Sequence, residues 1–157
     1  NMFIVYIGMS NTHSEQEIMD IFNKEFEVNV RHETYEYAVI DGFDHEEKVA
    51  VEVKDRTIPK YKHQETIMGL NKYNLWKKKY PDYQFFFIVR FSDGGIWVHE
   101  VDFNRKYITY ENGKEYKFSS DPKEKEKVHL AMPTKELECL LEPTKPTLER
   151  GVCCINF

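Results

Sequence analysis

A chain of 157 residues with 41% hydrophobic and 15% aromatic side chains can bury one core, which excludes a disordered protein. It has no apolar run of about 18 residues and no signal-peptide pattern, and its three cysteines lack disulfide or metal spacing, so we expect reduced thiols and an intracellular protein of the cytoplasm or nucleus. A net charge of −5 argues, over the whole chain, against a nucleic-acid partner.

The predicted elements begin with a strand at residues 2–7 and a helix from residue 15 to about 26. Ser14 and Glu17 form a capping-box pattern, which predicts that this helix begins at Ser14. Three strands and a second helix follow, at about 27–32, 36–41, 48–54 and 59–80. Pro59 suits the first turn of that helix, and Pro81 ends it.

The second half of the chain is predicted to be rich in strands. Buried strands lie at 85–91 and 96–101, a hairpin at 107–118, a short strand at 128–132 and a helix near 134–141. This order predicts an α/β (α+β) fold, with a mixed central sheet flanked by helices and an added C-terminal hairpin and short helix. We expect one domain over 1–142, comprising a core of 14–101 and an addition of 102–142, with a tail at 143–157.

The strand at 48–54 carries the chemically informative residues. Side chains alternate along a strand, so Glu52 and Lys54 project to one face and the valines between them to the other. Asp41 closes the preceding strand. Carboxylates from two hairpin strands, with an ammonium beside them, can hold a hard divalent cation and a water next to a phosphate. The pattern therefore indicates phosphodiester hydrolysis.

The same Glu-x-Lys spacing occurs elsewhere, at Glu46 and at Glu115. Most such pairs in a chain rich in Glu and Lys are solvated neighbours. Glu46 falls in a polar turn, whereas Glu115 follows Asp102 much as Glu52 follows Asp41. The hairpin of Glu115 has little aliphatic character, however, and the valine-rich context favours Glu52.

Positive charge is concentrated next to this motif. Residues 54–79 carry eight basic and two acidic side chains, a net charge of +6 that leaves −11 on the rest of the chain. Such a basic stripe can contact phosphates, although an ordinary solvated helix face is the alternative. The candidate nucleic-acid contacts are Arg56, Lys60, Lys62, Gln64, Lys72, Lys77, Lys78 and Lys79.

Several motifs occur in a defined order. They are Glu15-Gln-Glu17-Ile18 on the first helix, Phe26-Glu-Val-Asn-Val-Arg31, Asp41 followed by Glu52-Val-Lys54, and a hydrophobic hairpin that ends in Glu100-Val101. This order resembles the PD-(D/E)xK nuclease superfamily, which has the restriction-endonuclease-like fold. Over residues 14–101 it is most similar to the archaeal Holliday-junction resolvases, although the spacing from Asp to Glu is shorter here.

The resemblance implies a role for each motif residue. It makes Asp41 and Glu52 the metal-binding carboxylates, the carbonyl of Val53 a further ligand and Lys54 the motif lysine. It also implies an acidic residue on the first helix that supports the water shell of the metal. Glu15 fits this role, and Glu17 is the alternative.

The function implied by the resemblance is a Mg²⁺-dependent DNA endonuclease, with Mn²⁺ as a substitute ion, that acts on branched or structured DNA. Two alternatives stay open: a nonenzymatic nucleic-acid-binding module or accessory subunit, and a restriction-type or RNA-cleaving nuclease. We also expect a homodimer, because paired cuts require two sites related by a two-fold axis. The strand at 96–101 and the hairpin at 107–118 offer apolar surface for it.

Overall fold

Two β-sheets and two α-helices form the described part of the chain. The computed structural model describes residues 2–33, 39–111, 114–115 and 128–144, with side chains described from residue 14 onward except at 114–115. Within these ranges no helix is both long and apolar enough to cross a membrane.

Helix α1 spans Met2–Phe26, and Glu27 beyond it adopts a left-handed conformation with φ of 56°. The predictions of a strand at 2–7 and of a helix start at Ser14 are therefore wrong. An apolar run suits a buried helix as well as a strand, and no break separates residues 2–7 from the amphipathic segment. Ser14 lies within the helix.

The larger sheet has six strands in the order β1-β2-β3-β5-β6-β10. Strands β3 and β5 are parallel, and every other neighbouring pair is antiparallel. The mixed sheet predicted from the order of elements is thus confirmed. The strand bounds are Arg31–His32 (β1), Gly42–Asp44 (β2), Val49–Asp55 (β3), Gln84–Arg90 (β5), Ile96–Glu100 (β6) and Glu138–Leu141 (β10).

The smaller sheet has four antiparallel strands in the order β4-β9-β7-β8. Their bounds are Glu65–Gly69 (β4), Val128–Pro133 (β9), Ile108–Glu111 (β7) and Lys114–Glu115 (β8). Strands β7 and β8 form the hairpin predicted over 107–118, although its turn at 112–113 lies outside the described residues. Helix α2, Leu70–Lys79, follows β4 directly.

The two faces of the larger sheet bury different helices. Helix α1 packs Ile18, Met19 and Phe22 against one face, to which Val49, Val51 and Val53 of β3 belong. Helix α2 and the smaller sheet pack on the opposite face, to which Ala50 belongs. The predicted alternation of β3 and the helices on both faces of the sheet are confirmed.

The second predicted helix is wrong over its first half. A 3₁₀ turn spans Lys60–Lys62 and β4 spans Glu65–Gly69, so that α2 begins only at Leu70. Strand β4 exists because it pairs with β9, more than 60 residues later in the chain. Such non-local pairing overrides helical propensity, and a local pattern cannot reveal it.

Three further predictions require comment. The helix expected near 134–141 is wrong, since a 3₁₀ turn at Thr134–Glu136 leads into β10, which pairs with β6. Of the strand expected at 36–41, residues 39–41 belong to no strand, and residues 36–38 lie outside the described residues. Residues 145–157 of the predicted tail also lie outside them. Finally, β6 lies between β5 and β10, with Ile96 and Val98 buried, so the apolar surface expected at 96–101 is absent.

Phe22 and Phe26 provide a matched test of the packing of α1. Their rings stack with centroids 4.5 Å apart, but Phe22 has no exposed surface and Phe26 is 38% exposed. Phe22→Ala removes buried apolar surface and leaves a cavity, so the free energy of unfolding should fall by about 3–5 kcal/mol in urea denaturation. Phe26→Ala should lower the free energy of unfolding by clearly less. Equal losses would contradict this packing.

Candidate active site

Glu52 is the centre of the site because it is a carboxylate with no exposed surface. It lies in the middle of β3, between β2 and β5, on the face that also carries Ala50 and packs against α2. A buried carboxylate needs positive or hydrogen-bonding partners, since the charged form loses its hydration. The neighbours of Glu52 therefore define the chemistry of this position.

Asp41 reaches the edge of β3 at the residue next to Glu52. The last pair between β2 and β3 is Gly42 with Val51, and beyond it the Asp41 carboxylate accepts a hydrogen bond of 2.8 Å from the Val53 amide. The N–H and C=O groups of one strand residue point to the same edge. The Val53 carbonyl thus faces the side on which Asp41 lies, as the predicted ligand set requires.

Two lysines provide positive charge beside Glu52. Lys72 on α2 places its Nζ 2.8 Å from Oε2 of Glu52, and Lys54 places its Nζ 3.6 Å from the same oxygen. The Lys72 ammonium also donates to the Val39 carbonyl at 2.9 Å. Within the described residues neither oxygen of Glu52 has a hydrogen bond of normal geometry. The ammonium of Lys72 is thus in close electrostatic contact with Oε2, whereas Oε1 has no comparable partner among the described residues.

The surroundings of Glu52 favour its protonated form in the metal-free protein. Burial, with a further contribution from the negative charge of Asp41, raises the pKa of Glu52 to about 8. Lys72 and Lys54 act in the opposite direction but do not cancel the burial. A bound cation would supply the positive charge that the carboxylate lacks.

Glu15 reaches the site from α1 and pairs with His32. Nε2 of His32 lies 2.9 Å from Oε2 of Glu15, and Nδ1 of His32 donates to the Glu33 carbonyl at 3.1 Å. Burial and the charge of Asp41 raise the pKa of Glu15. Burial opposes charge on His32, but its contacts with Glu15 and Glu33 raise the pKa of His32. The hydrogen bond between His32 and Glu15 therefore joins α1 to β1 beside the motif residues.

The alternative on the first helix, Glu17, has a different environment. It is exposed and lies 3.5 Å from Nη1 of Arg90, which also forms two hydrogen bonds to Asp55. Glu15, by contrast, interacts electrostatically with Asp41 and Lys54. The structure therefore brings Glu15, and not Glu17, to the motif residues.

The predicted basic stripe does not form one surface. Arg56, Lys62 and Gln64 line an open cleft of about 690 Å³, and the charge of Glu52 acts on Arg56. Lys72 belongs to the site itself, while Lys60 lies over the Trp97 ring at 4.3 Å. Lys77 lies over the rings of Tyr73 and Phe103, and Lys78 and Lys79 are exposed at the end of α2.

The sequence did not predict that Lys72 and His32 belong to the site. Lys72 was expected to contact nucleic acid, but it lies in the first turn of α2, which begins only after β4, and its ammonium contacts Glu52. His32 was not singled out at all. Its position on β1, the strand before Asp41, was the one signal that could have suggested it.

The donor set suits a hard cation. Asp41, Glu52 and the Val53 carbonyl offer oxygen atoms, and Mg²⁺ needs only one or two carboxylates because it keeps several waters. The observation in favour of an ion is that Oε1 of Glu52 has no partner among the residues that the structure describes. No group of three or more His, Cys, Asp or Glu side chains in the described ranges has a metal-binding arrangement, so such a site would depend on water and substrate oxygens.

Comparison with protein-family models, with curated proteins and with solved structures finds no match for this chain. The arrangement of Glu52 and its neighbours is therefore the basis for a functional proposal.

The raised pKa of Glu52 predicts a dependence of stability on pH. Between its ordinary value of 4.5 and about 8, the folded metal-free protein keeps a proton that the unfolded chain releases. The free energy of unfolding should therefore fall as pH rises through this window, by an amount on the order of a few kcal/mol. Glu52→Gln cannot ionise and should lose less stability between pH 5 and pH 9 in urea denaturation with EDTA. Parallel curves for the two proteins would contradict the shift.

Proposed function

We propose that this protein is a Mg²⁺-dependent DNA endonuclease of the PD-(D/E)xK type. The observation that carries the proposal is the fully buried Glu52 carboxylate, which lies beside Asp41 and Lys54 and has one oxygen without a partner in the described part of the chain. Buried ionisable groups with strongly shifted pKa values are concentrated at functional sites. A purely structural role would not require a carboxylate at the centre of a sheet.

The order of elements supports the same proposal. Helix α1, the antiparallel strands β1, β2 and β3, helix α2 and the parallel strand β5 occur in the order that the resemblance implies, with β4 of the smaller sheet inserted before α2. Asp41 precedes β2, and Glu52 and Lys54 lie on β3. The two helices pack on opposite faces of the sheet.

Each residue has a distinct task in the proposed hydrolysis. When bound, Mg²⁺ supplies Lewis-acid activation of the phosphate and of the attacking water. Asp41 and Glu52 would hold the ion, and Asp41 is fixed in place by the hydrogen bond that its carboxylate accepts from the Val53 amide. Lys54, 35% exposed, can donate to the water or to a phosphate oxygen. Glu15, positioned by His32, can accept a hydrogen bond from a water of the ion.

The cleft beside the site is the proposed path of the DNA backbone. Arg56 is held at its wall, because its Nη2 donates to the Ile67 carbonyl at 2.8 Å. Lys62 and Gln64 add two further polar side chains to the lining of this cleft. We propose branched or structured DNA as the substrate and a homodimer as the active form. Ile108, 47% exposed on β7, is the apolar residue that such a dimer would cover.

One observation favours a nonenzymatic nucleic-acid-binding module as the second candidate. The Lys72 ammonium, 2.8 Å from Oε2, already neutralises Glu52 in part without a metal ion. In that case the carboxylate would serve to hold α2 on the sheet. Lys72→Met separates the two candidates. Loss of the contact between Lys72 and Glu52 would destabilise the fold in either case. Only if Glu52 belongs to a metal site would the variant also bind Mg²⁺ more tightly than the wild-type protein.

Substitution of the carboxylates tests the chemistry. Asp41→Asn and Glu52→Gln each remove a charged ligand without changing side-chain size, so Mg²⁺-dependent cleavage of four-way-junction, nicked or linear DNA should fall at least about a hundredfold. Gel-based assays with purified variants measure this. Asp102→Asn serves as the control, because Asp102 precedes the rejected Glu115 pattern and should keep full activity. Loss of activity in the control alone would mean that the wrong motif has been chosen.

Binding and turnover should respond to different residues. Lys54→Met removes a charge beside the proposed reaction centre and should lower turnover far more than DNA affinity. Lys62→Glu, in the cleft, should weaken binding and reduce the salt dependence of the affinity in fluorescence anisotropy. Lys78→Glu makes the same charge change outside the cleft and should weaken binding less. The same loss of affinity from both reversals would show that the cleft has no special role.

A further inference from the structure

A separate cavity lies on another face of α2, away from Glu52. Its volume is about 220 Å³, and Leu70, Tyr73 and Lys77 of α2 contribute to its lining. These residues share one helix face, since they are spaced three and four apart. Lys72, next to Tyr73 in sequence, points instead to Glu52. The cavity and the proposed active site are thus distinct.

Aromatic rings form much of the cavity wall. Tyr73 and Tyr107 are nearly buried, and their rings meet edge to face with centroids 6.2 Å apart. The Tyr107 hydroxyl is held by the Asp102 amide at 2.8 Å and by Nε2 of His99 at 2.9 Å. Phe103 is 37% exposed, so part of its ring is open to a ligand. Leu130 of β9 adds apolar lining. A planar ring can bury its faces in such surroundings.

Positive charge surrounds these rings. The cavity lining includes Lys77, Arg105 and Lys106. Arg105 is fixed by two contacts with Glu136, at 2.6 and 3.1 Å, and lies 4.7 Å above the Tyr107 ring. Lys77 lies 4.7 Å from the Phe103 ring centre. Neither Lys77 nor Lys106 forms an ion pair with a carboxylate of the described residues. Among the described residues these two ammonium groups therefore lack a carboxylate partner, and both can bind an anion.

We propose that this cavity binds a nucleoside monophosphate unit, with its base against Phe103 and its phosphate between Lys77 and Lys106. The volume is smaller than that of a typical drug-sized site, so the cavity would hold the base, with the sugar and phosphate at its rim, where Lys77 and Lys106 are exposed. Two lysines suit a terminal phosphate, which carries close to two negative charges, and also the singly charged phosphodiester of a strand, whose two free oxygens can each accept a hydrogen bond from one lysine. Stacking of a base on an aromatic side chain tolerates any base. The unit can be a free nucleotide or an unpaired nucleotide of a strand.

Calorimetric titration in EDTA tests the cavity independently of the proposed nuclease site. AMP, UMP, adenosine and inorganic phosphate are added separately to the Glu52→Gln variant. A DNA hairpin with one unpaired terminal nucleotide is compared with a blunt hairpin. Binding of AMP and UMP identifies a free nucleotide as the source, whereas binding of the overhang alone identifies a strand, and both results support the cavity. No binding of either, or phosphate binding as tight as AMP, would overturn it.

Variants connect the binding to these residues. Phe103→Ala and Lys77→Met should each weaken binding about tenfold, because each removes one of the two contacts on which the unit depends. Lys79→Met removes an equal charge from the same helix end outside the cavity and should leave binding unchanged. Trp76 meets the Phe103 ring at 5.3 Å, so its fluorescence should change when the ligand binds. Equal weakening by Lys79→Met would show that only the overall charge of the helix attracts the ligand.

Discussion

The burial of Glu52 in the middle of β3 is the constraint around which the rest of the structure is arranged. A charged carboxylate in a protein interior costs several kcal/mol unless cations or hydrogen bonds compensate it. Lys72 and Lys54 compensate only part of this charge, because both lie beside Oε2, and Oε1 has no partner within the described ranges. Well-packed apolar residues in place of buried charged groups often leave a protein equally stable or more stable. Stability alone therefore does not require a carboxylate at position 52, whereas the proposed metal-dependent hydrolysis does.

The surrounding elements converge on this carboxylate from different directions. Strand β2 ends its pairing at Gly42, which frees Asp41 to bond the Val53 amide with its side chain. Helix α2 brings Lys72 from one face of the sheet, and α1 brings Glu15 to the same end of β3. Helix α2 also separates two environments, since successive residues face the proposed nuclease site and the aromatic cavity.

The sequence predicts features that depend on local periodicity. The alternation along β3, the strands at 85–91 and 96–101 and the mixed sheet with a helix on each face are all confirmed. Features that depend on distant pairing were missed: β4 forms on β9, and β10 forms on β6. The same limit applied to the site. Asp41, Glu52 and Lys54 follow from strand spacing, whereas Lys72 and His32 enter through tertiary packing that no local pattern encodes.

Binding of Mn²⁺ measured by isothermal titration calorimetry tests the central claim most directly, namely that Glu52 is built to hold a cation. The account predicts that the wild-type protein, in the presence of a noncleavable DNA duplex, binds Mn²⁺ with release of a proton, because the Glu52 carboxyl must ionise to become a ligand. Glu52→Gln should abolish this binding. If the wild-type protein binds no ion, or if Glu52→Gln binds it equally well, the buried carboxylate is not a metal ligand and the account is wrong.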